Sequence, residues 1–452
     1  MKIIIAGDGK IGSTLTSYLA SEGYEITVID IKKEALDASA EKNDVMTIHG
    51  NCAALRTLID AGIRTADILI ATTRLDEINL LTCMTARMEN SNIHTIARIR
   101  NPEYYDQVYN MSKEFAISLM INPERHAALE ISRLLELPGF LQRDSFAKDR
   151  VEIVELRINS TSKLNNVRLS DLSGIVNAKV LVCTVLRDGK AIMPSGDFVL
   201  EHNDRIFVTA GTSELSTLLS NLGKITKKTR KVLIAGGGKI SYYLAKMLIA
   251  SGVKVSIVDI NPAVCDDLAR KIPAADIILG DASTSQIADS EHYSSYDAIV
   301  ALTGSDEMNI VISLFARDLN VPVVVTKVAR QGSLNVMERL SIGGAICPQD
   351  LCANVILRYV RAVRNQSGAA VSVHGIASGM AEAAEFVVDN NTKNIGVPLK
   401  NIRMRKNVLI SSVTNSGKIE IANGNTTFEP GDTIIVVSNK DTSILQLNDI
   451  FL

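Results

Sequence analysis

The chain has no tryptophan and only 4% aromatic residues. Its charges nearly cancel, 48 Lys and Arg against 50 Asp and Glu, so no polybasic field exists to hold phosphate backbones or anionic lipid. That balance argues against nucleic acid as a partner. No apolar run approaches the roughly 20 residues needed to cross a bilayer; the runs are strand-sized, such as 297–302 and Val321–Val325. The opening Met-Lys-Ile-Ile-Ile-Ala-Gly is too short an apolar stretch for a signal peptide, so a cytoplasmic protein is expected. The six cysteines (Cys52, Cys83, Cys183, Cys265, Cys347, Cys352) include no C-x-x-C pair, and their apolar neighbours predict buried, inert thiols with no metal site. The six histidines show neither H-x-x-H nor H-E-x-x-H spacing, so no catalytic constellation is read from them.

Apolar residues, by contrast, are plentiful. They make up 46% of 452 residues, enough for several packed cores. Self-similarity organises them. Lys2-Ile-Ile-Ile-Ala-Gly-Asp-Gly-Lys-Ile-Gly12 recurs as Lys231-Val-Leu-Ile-Ala-Gly-Gly-Gly-Lys-Ile-Ser241, and 11 of 29 positions are identical between Lys2–Asp30 and Lys231–Asp259. Further along, Thr73-x-x-Asp76-Glu77-x-Asn79 meets Thr303-x-x-Asp306-Glu307-x-Asn309, and Arg98 meets Lys327. A tandem duplication follows.

Each copy divides again. Lys2–Ala6, Glu25–Asp30, Val45–His49, Ile68–Thr73 and Ile93–Arg100 read as strands, with helices between them, one carrying the stripe Ile11, Leu15 and Leu19. Such alternation predicts a doubly wound parallel sheet of Rossmann type. Beyond residue 143, β-type segments punctuated by Asp188-Gly189 and Ser195-Gly196 predict a small α+β module; the second copy repeats it, with a turn at Ser416-Gly417. The expected domains are 1–140, 145–223, 231–365 and 370–452, with 224–230 as a linker. Helices are expected at Pro123–Leu137 and Pro348–Arg364, the second with an apolar stripe of Leu351, Val355, Ile356, Tyr359 and Val363. That stripe suits packing within one domain or between two equally well.

Gly7-Asp8-Gly9-Lys10-Ile11-Gly12 follows a strand and opens a helix, the setting in which a glycine loop cradles a pyrophosphate on helix N-terminal amides. Asp30 closes the second strand, where its carboxylate can accept from ribose hydroxyls and disfavours a 2′-phosphate, pointing to NAD over NADP. Thr73, Arg74 and Arg98 belong at the carboxyl edge of the sheet beside the same crevice, although a turn hydroxyl and a surface ion pair would explain Thr73 and Arg98 equally. In the second copy Gly236, Gly237, Gly238, Lys239, Ile240 and Asp259 keep the pattern, but Ser241 replaces the third glycine and leaves that site's occupancy open. Asp76, Glu77 and Asn79 read as helix-capping residues without chemistry.

Two nucleotide folds without catalytic side chains look like a sensor. Taken together, the glycine loop, Val28-Ile-Asp30, Thr73-x-x-Asp-Glu-x-Asn, Ile96-Ala-Arg98-Ile-Arg and the duplication resemble the TrkA family, peripheral regulatory subunits of Trk-type potassium uptake systems built from tandem RCK domains. The resemblance implies no enzymatic activity. It implies NAD or NADH, or ATP and ADP, at the residues named above, and a membrane-embedded potassium channel subunit of Trk type as partner. A homotetramer forming a ring of eight RCK domains under the inner face of the membrane is also implied. An NAD-dependent oxidoreductase is the alternative.

Overall fold

The computed structural model describes residues 1–452 apart from 112–113, 138, 148–149, 224–227, 331–332, 334–335, 338–339, 341, 365–369, 416–417, 440, 443 and 445. Residues 224–227 of the predicted linker, the predicted boundary at 365 and the Ser416-Gly417 turn therefore lie outside the described residues.

The first copy runs β1 (Lys2–Ala6), α1 (Lys10–Ser21), β2 (Glu25–Asp30), α2 (Lys33–Lys42), β3 (Met46–His49), α3 (Leu55–Asp60), β4 (Ile68–Ala71), α4 (Asp76–Glu89), β5 (His94–Arg98), α5 (Pro102–Asn110), β6 (Leu119–Ile121) and α6 (Pro123–Glu136). Its six strands form a parallel sheet in the order β3-β2-β1-β4-β5-β6. Strand order reverses between β1 and β4, and ligands of open α/β sheets bind at the carboxyl edge of such a switch point. β1 is apolar throughout its buried length because both its faces are covered. Ile11, Leu15 and Leu19 of α1 are buried on it, and Gly23, at φ +76°, ends the helix in the left-handed conformation that a side chain resists.

An antiparallel module follows: β7 (Arg143–Phe146), β8 (Val151–Arg157), β9 (Val180–Arg187), β10 (Lys190–Ile192), β11 (Arg205–Gly211) and α7 (Leu215–Asn221), its strands ordered β10-β9-β11-β8-β7. The second copy repeats both parts. Its parallel sheet comprises β12 (Lys231–Ala235), β13 (Lys254–Asp259), β14 (Asp276–Leu279), β15 (Ala298–Ala301), β16 (Val323–Lys327) and β17 (Gly344–Ile346). Helices α8 (Lys239–Ala250), α9 (Pro262–Lys271), α10 (Ser285–Ser290), α11 (Asp306–Asp318) and α12 (Pro348–Arg364) surround it. β18 (Ala370–Ile376), β19 (Ala381–Val387), β20 (Val408–Asn415), β21 (Lys418–Ile421) and β22 (Thr433–Asn439) form the second module, ordered β21-β20-β22-β19-β18.

The copies are not merely adjacent; they exchange helices. Ala127, Ala128, Ile131, Leu134 and Leu135 of α6 are buried in the second copy's core with Leu244 and Leu248 of α8. Reciprocally, Cys352, Ala353, Ile356, Leu357 and Val360 of α12 are buried in the first copy's core with Leu15 and Leu19 of α1. The predicted stripe on α12 is thus an inter-copy one, centred on Cys352, Ile356 and Val360, while Leu351 packs against the second copy's core. Polar bonds seal the seam: His94 Nδ1 lies 2.8 Å from the Tyr359 hydroxyl, Asn122 Nδ2 donates to the Tyr243 hydroxyl at 3.0 Å, and Arg361 pairs with Glu22. All six cysteines are free thiols, five of them buried.

Truncating Ile131 to Ala should cost about 2–5 kcal/mol, because the cavity opens in a packed core. Its site of action is the informative part. Hydrogen exchange of the variant should speed up in β12 and β13, in the other half of the chain, before β1 and β2 respond.

Candidate functional site

A cleft of about 960 Å³ opens at the carboxyl edge of the first sheet. Of the residues expected from sequence, Gly7, Asp8, Gly9, Lys10, Ile11, Asp30, Thr73, Arg74 and Arg98 line it. The three glycines of the loop serve different ends. Gly7 sits at φ +99°, and a Cβ there would fall 2.9 Å from the Thr73 backbone nitrogen. Gly9 faces open space, with nothing within 4 Å of where its Cβ would lie, so a ligand can approach the backbone. Gly12 does not line the cleft; a Cβ there would come 2.0 Å from the Gly7 carbonyl oxygen, so it sets how closely α1 approaches the loop.

Asp30 is tied to the loop it was expected to complement. Its Oδ2 accepts from the Asp8 backbone N–H at 2.6 Å and its Oδ1 from that of Lys32 at 2.8 Å. The Asp8 side chain turns towards α2, where the Ser39 hydroxyl donates to Oδ2 at 2.6 Å while Oδ1 has no partner. Burial pushes the Asp8 carboxyl above the usual carboxylate range; Ser39 pulls it back and the Asp30 charge adds to the rise.

Asp76 and Glu77 stand in the first turn of α4, as the capping expectation has it, but the capping reading does not cover what Asp76 and Asn79 do. No side chain caps α4, whose N-cap position is Leu75. Asn79, fully buried, instead pins the cleft wall: its Oδ1 accepts from the Thr73 N–H at 2.8 Å and hydroxyl at 2.7 Å, and its Nδ2 donates to the Arg98 carbonyl at 2.8 Å. Asp76 Oδ2 accepts from the Arg100 and Asn101 N–H groups at 2.8 and 2.7 Å. Asn309 binds Thr303 and the Lys327 carbonyl in the same way, and Asp306 accepts from Ala329 and Arg330. The recurrence of Asp76 and Asn79 as Asp306 and Asn309 was therefore a legible signal of a loop–strand brace.

Residues that sequence reading passed over complete the cleft. Arg100 and Glu124 line it from the first copy, and Gly304, Asp306, Lys327 and Ala329 from the second, beside the expected Ile240. Arg98 and Arg100 share Glu124 at 3.9 and 4.0 Å, long for ion pairs; the Nε atoms of both arginines are buried without a hydrogen bond, that of Arg100 lying 3.8 Å from Asp76 Oδ1. Burial draws the pKa of Lys327 down; the charge of Asp306 opposes this, and that of Lys10 from the other copy reinforces it. Several cations from both copies thus converge with spare donors, which suits a phosphorylated ligand.

The second glycine loop differs in a coordinated way. Apart from Ile240, its expected residues (Gly236, Gly237, Gly238, Lys239, Asp259) do not line this cleft. Asp259 still accepts from the Gly237 N–H at 2.6 Å. A Cβ at Gly237 would meet Val264 Cγ1 at 2.6 Å and Leu268 Cδ1 at 2.8 Å. By the repeat these replace Ala35 and Ser39, so apolar carbon fills the space that the Asp8–Ser39 pair occupies in the first copy. Ser241 is likewise compensated. In the first copy the Thr72 hydroxyl donates to the Gly7 carbonyl at 3.0 Å; in the second, Leu302 replaces Thr72, and the Ser241 hydroxyl donates to the Gly236 carbonyl at 2.5 Å.

Comparisons with known proteins agree with this architecture. The TrkA-N domain family matches residues 3–123 and 232–348, and the TrkA-C domain family matches 153–223 and 383–451. The Trk system potassium uptake protein TrkA of Haemophilus influenzae is 30% identical over 100% of this chain and 98% of its own length. A TrkA homolog of Archaeoglobus fulgidus is 29% identical over the whole of both chains. Among solved structures, the GsuK channel bound to NAD superposes with a TM-score of 0.61 at 17% identity, covering 97% of this chain and 77% of that one, a likeness of fold. With both domain types matched twice in the order that the repeat dictates, the chain belongs to the TrkA family.

Proposed function

We propose that this protein is a nucleotide-binding regulatory subunit that controls a membrane potassium transporter or channel subunit of Trk type. One observation carries the reading: the candidate cleft is walled by both copies, so a ligand there bears on how the copies sit against each other. Regulation requires a ligand that favours one arrangement over another, and a cleft shared between two bodies connected by exchanged helices meets that requirement. The whole-chain relatives named as potassium uptake proteins support the partner, and solved structures titled GsuK bound to NAD and bound to ADP support the ligand class. A dehydrogenase reading is not favoured, because those relatives bear the name of a transport component.

The ligand is assigned as NAD or NADH, with ATP or ADP at the same loop, held by Gly7–Ile11, Asp30, Thr73, Arg74 and Arg98, with Gly12 setting the loop against α1. The proposed domains are 1–140, 145–223, 231–365 and 370–452, and the protein would work in the cytoplasm against the inner face of the membrane. Ring assembly is the proposed quaternary state. Leu81, Met84 and Met88 of α4 present an exposed apolar stripe, with Met88 87% accessible, and α11 exposes Met308 and Val311, the second at the position of Leu81 in the repeat. An exposed apolar patch on the same helix of each copy fits contacts repeated around a closed ring.

Three measurements test this reading. Asp30→Ala should weaken adenine-nucleotide binding by about 1–3 kcal/mol in calorimetry, since a ribose hydroxyl loses a charged acceptor; unchanged affinity for NAD, NADH, ATP and ADP would remove Asp30 from the site. Gly9→Val should weaken it further, because the side chain would project into open cleft. Copy 1 should bind more tightly than copy 2, so Asp259→Ala should leave the stronger of two binding events in place. Light scattering should give four chains; a mass near 48.9 kDa, with and without nucleotide, would sink the ring. Loss of potassium uptake on deletion, restored by the wild-type chain but not by Gly9→Val, would tie the site to transport.

A further inference from the structure

The two antiparallel modules share one apolar core. Phe146, Val151, Ile153 and Phe207 of the first are buried together with Ile376, Ala383 and Ile435 of the second. At the edge of that contact sits a polar pair: His374 Nδ1 lies 3.1 Å from Asp144 Oδ1, and both side chains are nearly inaccessible. Gln142 Nε2 donates to the other oxygen of Asp144 at 2.7 Å, and the Phe146 ring packs 4.6 Å from the His374 ring.

These partners occupy the same place in the repeat. Asp144 lies opposite Ile153 in the β7–β8 ladder, and His374 lies opposite Ala383 in the β18–β19 ladder. Ile153 and Ala383 are the residues at which the two TrkA-C matches begin. The turns that follow also agree, with Ala147 and Ala377 both at φ +51°. The contact therefore lies on a local two-fold relation, where a residue meets its own counterpart. A like pairing of modules would bring Asp144 against Asp144, two carboxylates in a buried place, or His374 against His374 with no carboxylate at hand.

Size follows the same rule as charge. Phe146 answers to Ile376, Ile153 to Ala383 and Phe207 to Ile435, so the first module carries the larger residue at each. Ile419 of the second module, at the position of Ala191 in the first, reverses the order at the far side of the same core. Like-on-like pairing would crowd bulky side chains in one case and leave voids in the other, and both are destabilising.

We propose that Asp144, His374 and the opposed side-chain volumes around them form a pairing code: each module face accepts the unlike module of this chain and rejects a like one. In an assembly where several copies of each module are close together, the code keeps each chain's modules paired with one another. Selection of this kind needs a repulsive element besides the attractive one, and the largely enclosed Asp144 supplies it.

The full-length chain tests the proposal through its thermal unfolding profile. His374→Asp, which sets a carboxylate against Asp144, should lower the transition about twice as far as the neutral His374→Asn, which only loses the bond. Asp144→His combined with His374→Asp should recover most of the loss. Ala383→Ile should also destabilise, and adding Ile153→Ala should rescue it. Equal effects of His374→Asp and His374→Asn, or a charge exchange no better than its worse single variant, would overturn the code.

Discussion

Neither parallel sheet is finished by its own half of the chain. One face of each is closed by a helix from the other half, α12 over the first and α6 over the second. An uncovered Ile- and Val-rich sheet face in water is costly, at roughly 25 cal/mol per Å² of apolar surface, so this exchange is the condition on which the rest depends. It fixes the two copies face to face. It also brings Lys327 and Asp306 of one copy to the cleft of the other, where Arg98 and Glu124 await them.

The cleft is consequently unequal by construction. The first loop carries Asp8 hydrogen-bonded to Ser39, while the second has Gly237 beneath Val264 and Leu268. Swapping a polar pair for carbon without leaving a hole takes several substitutions together, and the same is true of Thr72 with Gly12 against Leu302 with Ser241. Such compensated pairs preserve the loop's backbone while changing its surface. The second copy has kept its scaffold, and its edge serves the cleft of the first.

Much of this was legible beforehand because the signals are local. A five-residue apolar run reads as a buried strand, a glycine loop before a helix reads as a phosphate cradle, and an internal repeat doubles both. Asp30, Gly7 and Gly9, which line the cleft, were singled out that way. Asn79 was not, because a polar residue in the first turn of a helix has a cheap local explanation, and only the fold shows it reaching the Arg98 carbonyl. α6 and α12 announced themselves as amphipathic helices, yet periodicity says which face is buried and never against what. Arg100, Glu124 and Lys327 escaped for the same reason: their importance arises from the meeting of segments some 200 residues apart in sequence.

Exchanged helices also change what a broken backbone would mean. If a protease cut the chain between its halves, each fragment would still hold the other's helix in its core, with Ile131 inside the second and Ile356 inside the first. The pieces would stay clasped until one of them unfolded. The connecting peptide is therefore dispensable to cohesion; what it supplies is equal dosage, one of each half in every molecule synthesised.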